Sequence, residues 1–265
     1  MAEDNNLAAM EDCIPDITLE NISTVMATPN PANGKAFFEG KKNISARLGV
    51  WRTGARYRTD TLLRFRADHA AAMDAVFSDV SEKYLQENNL PSISTVCQSK
   101  NEFLTRPDLG CIFSDESIEM IKKMCPQKPK VLVYASDGLS STAIEANFMD
   151  TYLSLKQGLL LEGLDCPPPF FVKYGRVRAM DVISRAVDAD VVIVLIGERP
   201  GLVTSESMSA YISYRSFPGI KEIYRLVISN IHCSGTKAVE AGAHIAHIAK
   251  CWLEQKKESG NDLKL

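Results

Sequence analysis

The chain has 265 residues, 45% of them hydrophobic and 24% charged, with a formal net charge of −3. That length allows one large domain or two small ones with a substantial core. The acidic balance argues against a nucleic-acid binder, and no apolar run reaches the length of a membrane span. The seven cysteines are scattered and form no C-x-x-C pair. They fit reduced thiols in a cytosol-like compartment better than a disulfide frame or a zinc site. The opening MAEDNNLAAMEDC lacks the basic region and apolar core of a secretory signal, so a cytoplasmic protein is expected.

Residues 1–40 read as a flexible arm. Ile17–Met26 offers one short amphipathic turn, which ATPNPANG then breaks. Residues 41–128 read as mainly helical and arginine-rich. Thr59-Asp60-Thr61 provides capping residues for a helix in which Leu62, Phe65, His69, Met73 and Val76 recur as one buried stripe. A second helix is expected over Ser114–Met124.

From Lys130 the pattern changes, with the boundary expected near Pro126–Pro129. VLVYA (131–135), FFVKY (170–174), VVIVLIG (191–197) and RLVISNI (225–231) are candidate strands. Helices are expected over Thr142–Leu164, Ala179–Val187, Glu206–Tyr214 and Ala238–Lys256. Strands alternating with helices predict an α/β fold for residues 129–265, with a Rossmann-like, mostly parallel sheet and flanking helices.

Four constellations invite a chemical reading. Arg47, Arg52, Arg56, Arg58, Arg64 and Arg66 suit an anion or the acidic patch of a partner, or a solvated helix face paired through Asp60 and Asp68. Glu240, His244 and His247 share one helix face, and packing explains them better than a metal. Ser136-Asp137-Gly138-Leu139-Ser140-Ser141 allows close backbone approach but matches no phosphate-binding fingerprint. Tyr174-Gly175-Arg176-Val177 and Gly197-Glu198-Arg199-Pro200 both follow strands and so fall on the ligand-binding edge of a parallel sheet. Val227-Ile228-Ser229-Asn230 is expected after the later strand.

The segments RTGARYRTDTLLRFRADHAAAMDAV (52–76), FLTRPDLG (103–110), SDGLSSTAI (136–144), PPFFVKYGRVRAMDVI (168–183), VVIVLIGERPGLVTSESMSAY (191–211) and ISNIHCSGTKAVEAG (228–242) resemble the small subunit of ethanolamine ammonia-lyase. The resemblance implies a lyase that converts ethanolamine to acetaldehyde and ammonia by radical chemistry with adenosylcobalamin. It implies a large partner subunit that holds substrate and catalytic residues, in a hetero-oligomer. The cofactor would be bound base-on, its cobalt held by its own base, so this chain would supply neither a metal ligand nor a catalytic residue. The family's cobalamin contacts carry over to Val177, Glu198 and Val227. Trp51, Cys111 and Val227 depart from the family's usual pattern. They leave open a divergent, non-catalytic cobalamin-binding or scaffolding protein. A place inside a bacterial microcompartment stays open as well.

Overall fold

The computed structural model describes residues 17, 20, 24–44 and 46–255. Their contacts divide the chain into two compact units, Met1–Ala70 and Ala71–Leu265. The amphipathic turn expected at Ile17–Met26 lies largely outside the described residues.

In the first unit, α1 (Gly34–Lys42) is capped by Asn33, whose side chain accepts the Ala36 N–H. A two-stranded hairpin follows, β1 (Arg52–Thr53) and β2 (Arg56–Tyr57), turning at Gly54 with φ +64°. Helix α2 (Thr59–Phe77) then begins and runs past the division at Ala70. Its apolar stripe is not buried as expected: Leu62 and Met73 are 41% and 43% exposed, and His69 is exposed too. Helical spacing reports periodicity, not what covers the face.

The second unit is an α/β sandwich. Its remaining elements are α3 (Glu82–Glu87), β3 (Ser92–Ser94), α4 (Lys100–Thr105), α5 (Asp115–Met124), β4 (Val131–Ser136), α6 (Ser141–Leu161), β5 (Phe170–Lys173), α7 (Ala179–Val187), β6 (Val191–Gly197), β7 (Met208–Tyr214), β8 (Arg225–Ile231) and α8 (Ala238–Gln255). The sheet order is β3-β5-β4-β6-β7-β8. The first four strands are parallel, and β7 and β8 are antiparallel additions.

The side-chain alternation of the strands builds two cores. Val131, Val133 and Ala135 of β4 join Ile193 and Leu195 of β6 beneath α6 and α8. Leu132 and Tyr134 join Val192 and Val194 beneath α5 and α7. Phe148, Leu155, Leu159, Ile245, Ile248 and Trp252 are fully buried where α6 meets α8. Each such side chain contributes about 1.5–3 kcal/mol of transfer free energy.

The helix expected at Glu206–Tyr214 is β7 instead. Met208, Ala210, Ile212 and Tyr214 all enter the first core, which is a period of two. The pattern βαβ anticipates a helix before the next parallel strand, but β7 returns antiparallel and needs none.

Candidate functional site

Strands β5 and β6 flank β4 and run parallel to it, so the loops that follow them open on one edge. Val177 lies beyond β5 and Glu198 directly beyond β6. Val227 lies within β8, so the segment Val227–Asn230 is strand and not the loop expected there. All three residues line one cavity of about 560 Å³, together with Arg176, Ser209 and Tyr211. The β-register explains the convergence. Tyr211 pairs with Val227 across β7–β8, and Ser209 pairs with Ile196 across β7–β6. The second face of the sheet is helix-covered over its parallel strands, whereas here it leaves Val227 45% exposed.

Glu198 is half-buried and held by three donors. The Ser207 hydroxyl donates to Oε2 at 2.5 Å and the Ser209 hydroxyl to Oε1, which also accepts the Asn230 N–H at 3.2 Å. An ionised carboxylate has about four acceptor sites, so roughly one remains, on Oε2, for a ligand donor. Burial, and then the neighbouring Glu198 charge, push the Tyr211 phenol upward. Burial pulls the Arg176 guanidinium downward. Its Nη2 donates to the Phe103 carbonyl at 2.8 Å, and its buried Nε has no hydrogen-bond partner.

The other sequence segments singled out above are the supports of these two loops. The 136–141 segment packs under Gly197, whose N–H side admits no side chain: a Cβ there would lie 2.0 Å from the Ser140 carbonyl oxygen. Leu139 N–H donates to the Gly197 carbonyl at 3.0 Å. The FLTRPDLG segment lies behind Tyr174–Val177. Arg176 N–H donates to the Gly110 carbonyl at 2.8 Å, and a Cβ on Gly110 would come within 2.6 Å of Arg176 Cγ.

Sequence reasoning missed Ser207, Ser209 and Asp137 as partners of the site. The serines carried a signal, since their spacing of two sets both on one face of a strand. Asp137 is fully buried at the end of β4. Its Oδ1 accepts the Tyr174 N–H at 2.8 Å and its Oδ2 meets Lys100 Nζ at 3.3 Å. Burial pushes its carboxyl up to about 6, against the pull of Lys100.

The arginine cluster divides by function. Arg47 and Arg64 meet Asp68 at 2.6 and 3.0 Å, and Arg64 also donates to the Glu20 carbonyl at 2.8 Å. The alternative pairing of Arg64 with Asp60 does not form; Asp60 takes Arg58 instead, at 3.3 Å. Arg52 lies over Tyr57 and Arg58 over Trp51, while Arg56 and Arg66 are exposed. In α8, His247 Nε2 sits 3.6 Å from Cys251 Sγ. Among the described residues no cluster of three or more His, Cys, Asp or Glu is arranged to hold a metal. None of their helices is long and apolar enough to cross a membrane.

The chain is an α/β protein whose mostly parallel, Rossmann-like sheet has a cavity at the carboxyl edge of its parallel strands, the edge where such folds bind ligands. Comparison with known proteins gives the family. The family model described as "Ethanolamine ammonia-lyase light chain (EutC)" matches residues 35–264. An ethanolamine ammonia-lyase small subunit of Clostridium perfringens is 55% identical over 254 residues, covering 96% of this chain and 86% of that protein. The small subunits of Clostridium tetani and of Listeria monocytogenes serovar 1/2a are 56% and 52% identical, each covering about 95% of this chain and 85% of the relative. The chain belongs to the ethanolamine ammonia-lyase light-chain family.

Proposed function

We propose that this chain is the small subunit of an ethanolamine ammonia-lyase and that its cavity receives part of adenosylcobalamin. The observation that carries the reading is the convergence of Val177, Glu198 and Val227, distant in sequence, on one cavity. The donor set fits the cofactor. Val177 and Val227 offer apolar contact to a macrocycle, and Glu198 keeps one acceptor site for an amide N–H of its periphery. The cavity is far too small to enclose a corrinoid, which supports a site completed by a large subunit.

Bound adenosylcobalamin supplies the adenosyl radical; this chain supplies burial, orientation and exclusion of water. Substrate and the groups that act on it belong to the large subunit. The exposed arginines of the hairpin and the exposed apolar side chains of α2 suit its docking.

The test is reconstitution. The chain is co-expressed with its large subunit, adenosylcobalamin and ethanolamine are added, and acetaldehyde is followed beside a large-subunit-alone control. Acetaldehyde that requires this chain is the expected result. A folded pair that binds cobalamin without product would point to the divergent, non-catalytic reading.

A further inference from the structure

We propose that Asp137, paired with Lys100, is a positioning residue that fixes the Tyr174–Val177 loop as one wall of the cavity. The proposal rests on the cobalamin reading of that cavity. Asp137 is not among the residues that line the cavity, and its carboxylate acts through Tyr174.

Tyr174 has φ +59°, a left-handed conformation that a bulky side chain rarely adopts. Such a residue persists only where its surroundings over-determine it. Here they do so from four sides. Asp137 Oδ1 accepts its N–H at 2.8 Å, and the Thr95 hydroxyl donates to its carbonyl at 3.1 Å. Its ring stacks on Phe103 at 5.7 Å, with Lys100 and Lys173 over it at 5.4 and 5.0 Å. Its hydroxyl donates to Asp79 Oδ2 at 3.2 Å. Directly after this turn the chain delivers Arg176 and Val177 into the cavity.

Asp137 is the fully buried charge in that arrangement. The groups facing it are Lys100 of α4, whose Nζ lies 3.3 Å away and is shared with Asp79 at 3.7 Å, together with Lys173 beside Asp79, Tyr174 and Arg176. An ionised acceptor makes the stronger bond to the Tyr174 N–H and holds Lys100 in place. The single proton of the Ser136 hydroxyl goes to the Val172 carbonyl at 2.8 Å, with the Gly175 carbonyl at 3.3 Å and Asp137 Oδ1 at 3.4 Å as the other acceptors in reach, so the end of β4 also abuts the turn. With a carboxyl raised to about 6, Asp137 is charged at neutral pH and loses that charge in mildly acidic solution.

The test uses the two-subunit complex with Asp137→Asn, which keeps the shape and removes the charge, and Lys100→Met, which leaves the carboxylate without its cation. Hydrogen exchange of the peptide spanning residues 173–179 is expected to quicken in both variants, with the β4 and β6 amides unchanged. Adenosylcobalamin Kd is expected to rise roughly tenfold at neutral pH, the scale of one charged hydrogen bond. In the wild type the Kd should rise as pH falls through about 6, and in Asp137→Asn that dependence should vanish. A merely structural residue would not carry the pH profile. Unchanged exchange and unchanged Kd in a folded variant overturn the proposal. Faster exchange in the two variants, alongside a wild-type complex that binds no cobalamin, would instead overturn the cobalamin reading and leave the loop's dependence on Asp137 standing.

Discussion

Ser209 of β7 and Glu198 beyond β6 are joined by a hydroxyl-to-carboxylate hydrogen bond that depends on the antiparallel register pairing Ile196 with Ser209. A one-residue slip would turn Ser207 and Ser209 to the opposite face and release Glu198. The added antiparallel strands therefore do more than extend the sheet. They orient Glu198, the carboxylate that lines the cavity among the described residues.

Replacing both serines, Ser207→Ala with Ser209→Ala, leaves Glu198 with the Asn230 N–H alone. Hydrogen bonds to a charged group contribute about 1.5–3 kcal/mol each, part of which an adjacent water restores. The double variant should fold normally and bind adenosylcobalamin roughly tenfold more weakly. Glu198→Ala should match or exceed that loss while the ethanolamine KM stays put. Spectral titration of the cofactor checks the first, and steady-state kinetics the second. An unaltered cofactor Kd in Glu198→Ala would remove the residue from the site.

The Arg225–Asp181 pair fastens β8, and with it Val227, to α7. Arg225 Nη2 meets both Asp181 oxygens at 2.7 Å, with side chains only 1% and 2% exposed. The Ser216 hydroxyl donates to the same carboxylate at 2.7 Å. Breaking a buried pair strands a charge, at about 3–5 kcal/mol. Arg225→Met should therefore lower Tm by roughly 10 °C in a unit of this size. Adding Asp181→Leu should recover part of the loss, because no buried charge is then left unpaired; Glu222, the other carboxylate on Arg225, faces solvent. Calorimetry of the two variants decides the point: equal Tm values in single and double variants would contradict it.

Much of this architecture was legible in the chain. β4 and β6 announce themselves as unbroken apolar runs buried on both faces. β7 was hidden because MSAYISY mixes small and polar residues whose alternation matters only once a partner strand fixes the faces. The loops that carry Val177 and Glu198 were legible as strand ends on one sheet edge, whereas the choice of Val177, Glu198 and Val227 as a set came through family likeness. Asp137 could not be read, because its hydrogen bond to Tyr174 joins two strand ends that are adjacent only in the folded sheet. The α2 stripe was legible as helix, yet its exposure depends on a covering surface that local periodicity does not describe.

Asp137 also predicts a pH dependence of stability. Its carboxyl has an ordinary value of 3.8 when unfolded and about 6 when folded, so between those values the folded chain binds more protons. The associated stability is fully present below about pH 4 and is lost as pH rises through about 6. Asp137→Asn removes that slope. Urea unfolding from pH 4.5 to 7 should show wild type losing stability relative to the variant as pH rises. A pH-independent difference would show that the group does not titrate in this range. With the expected slope, charge at Asp137 would cost global stability while ordering the Tyr174 turn, a trade common at functional sites.

Arg56 separates docking from folding. It sits in β2, exposed, whereas Arg47 and Arg64 are committed to Asp68 within the first unit. Arg56→Glu therefore removes no ion pair among the described residues and should leave Tm within about 1 °C, as surface substitutions generally do. It reverses the charge offered to a partner, and like charges facing across an interface cost several kcal/mol. The variant should lose co-purification with the large subunit, or recover it only at high salt, where screening shortens the reach of the repulsion. Arg64→Glu should behave differently, lowering Tm because Asp68 keeps only Arg47 and gains a carboxylate one turn away, and the Glu20 carbonyl loses the Arg64 donor. Size-exclusion chromatography of the co-expressed subunits at low and high salt reads the first effect, and thermal melting of the isolated chain the second. Undiminished pairing of the Arg56→Glu chain at low salt would move the docking surface off the hairpin and leave the exposed apolar face of α2 to account for it.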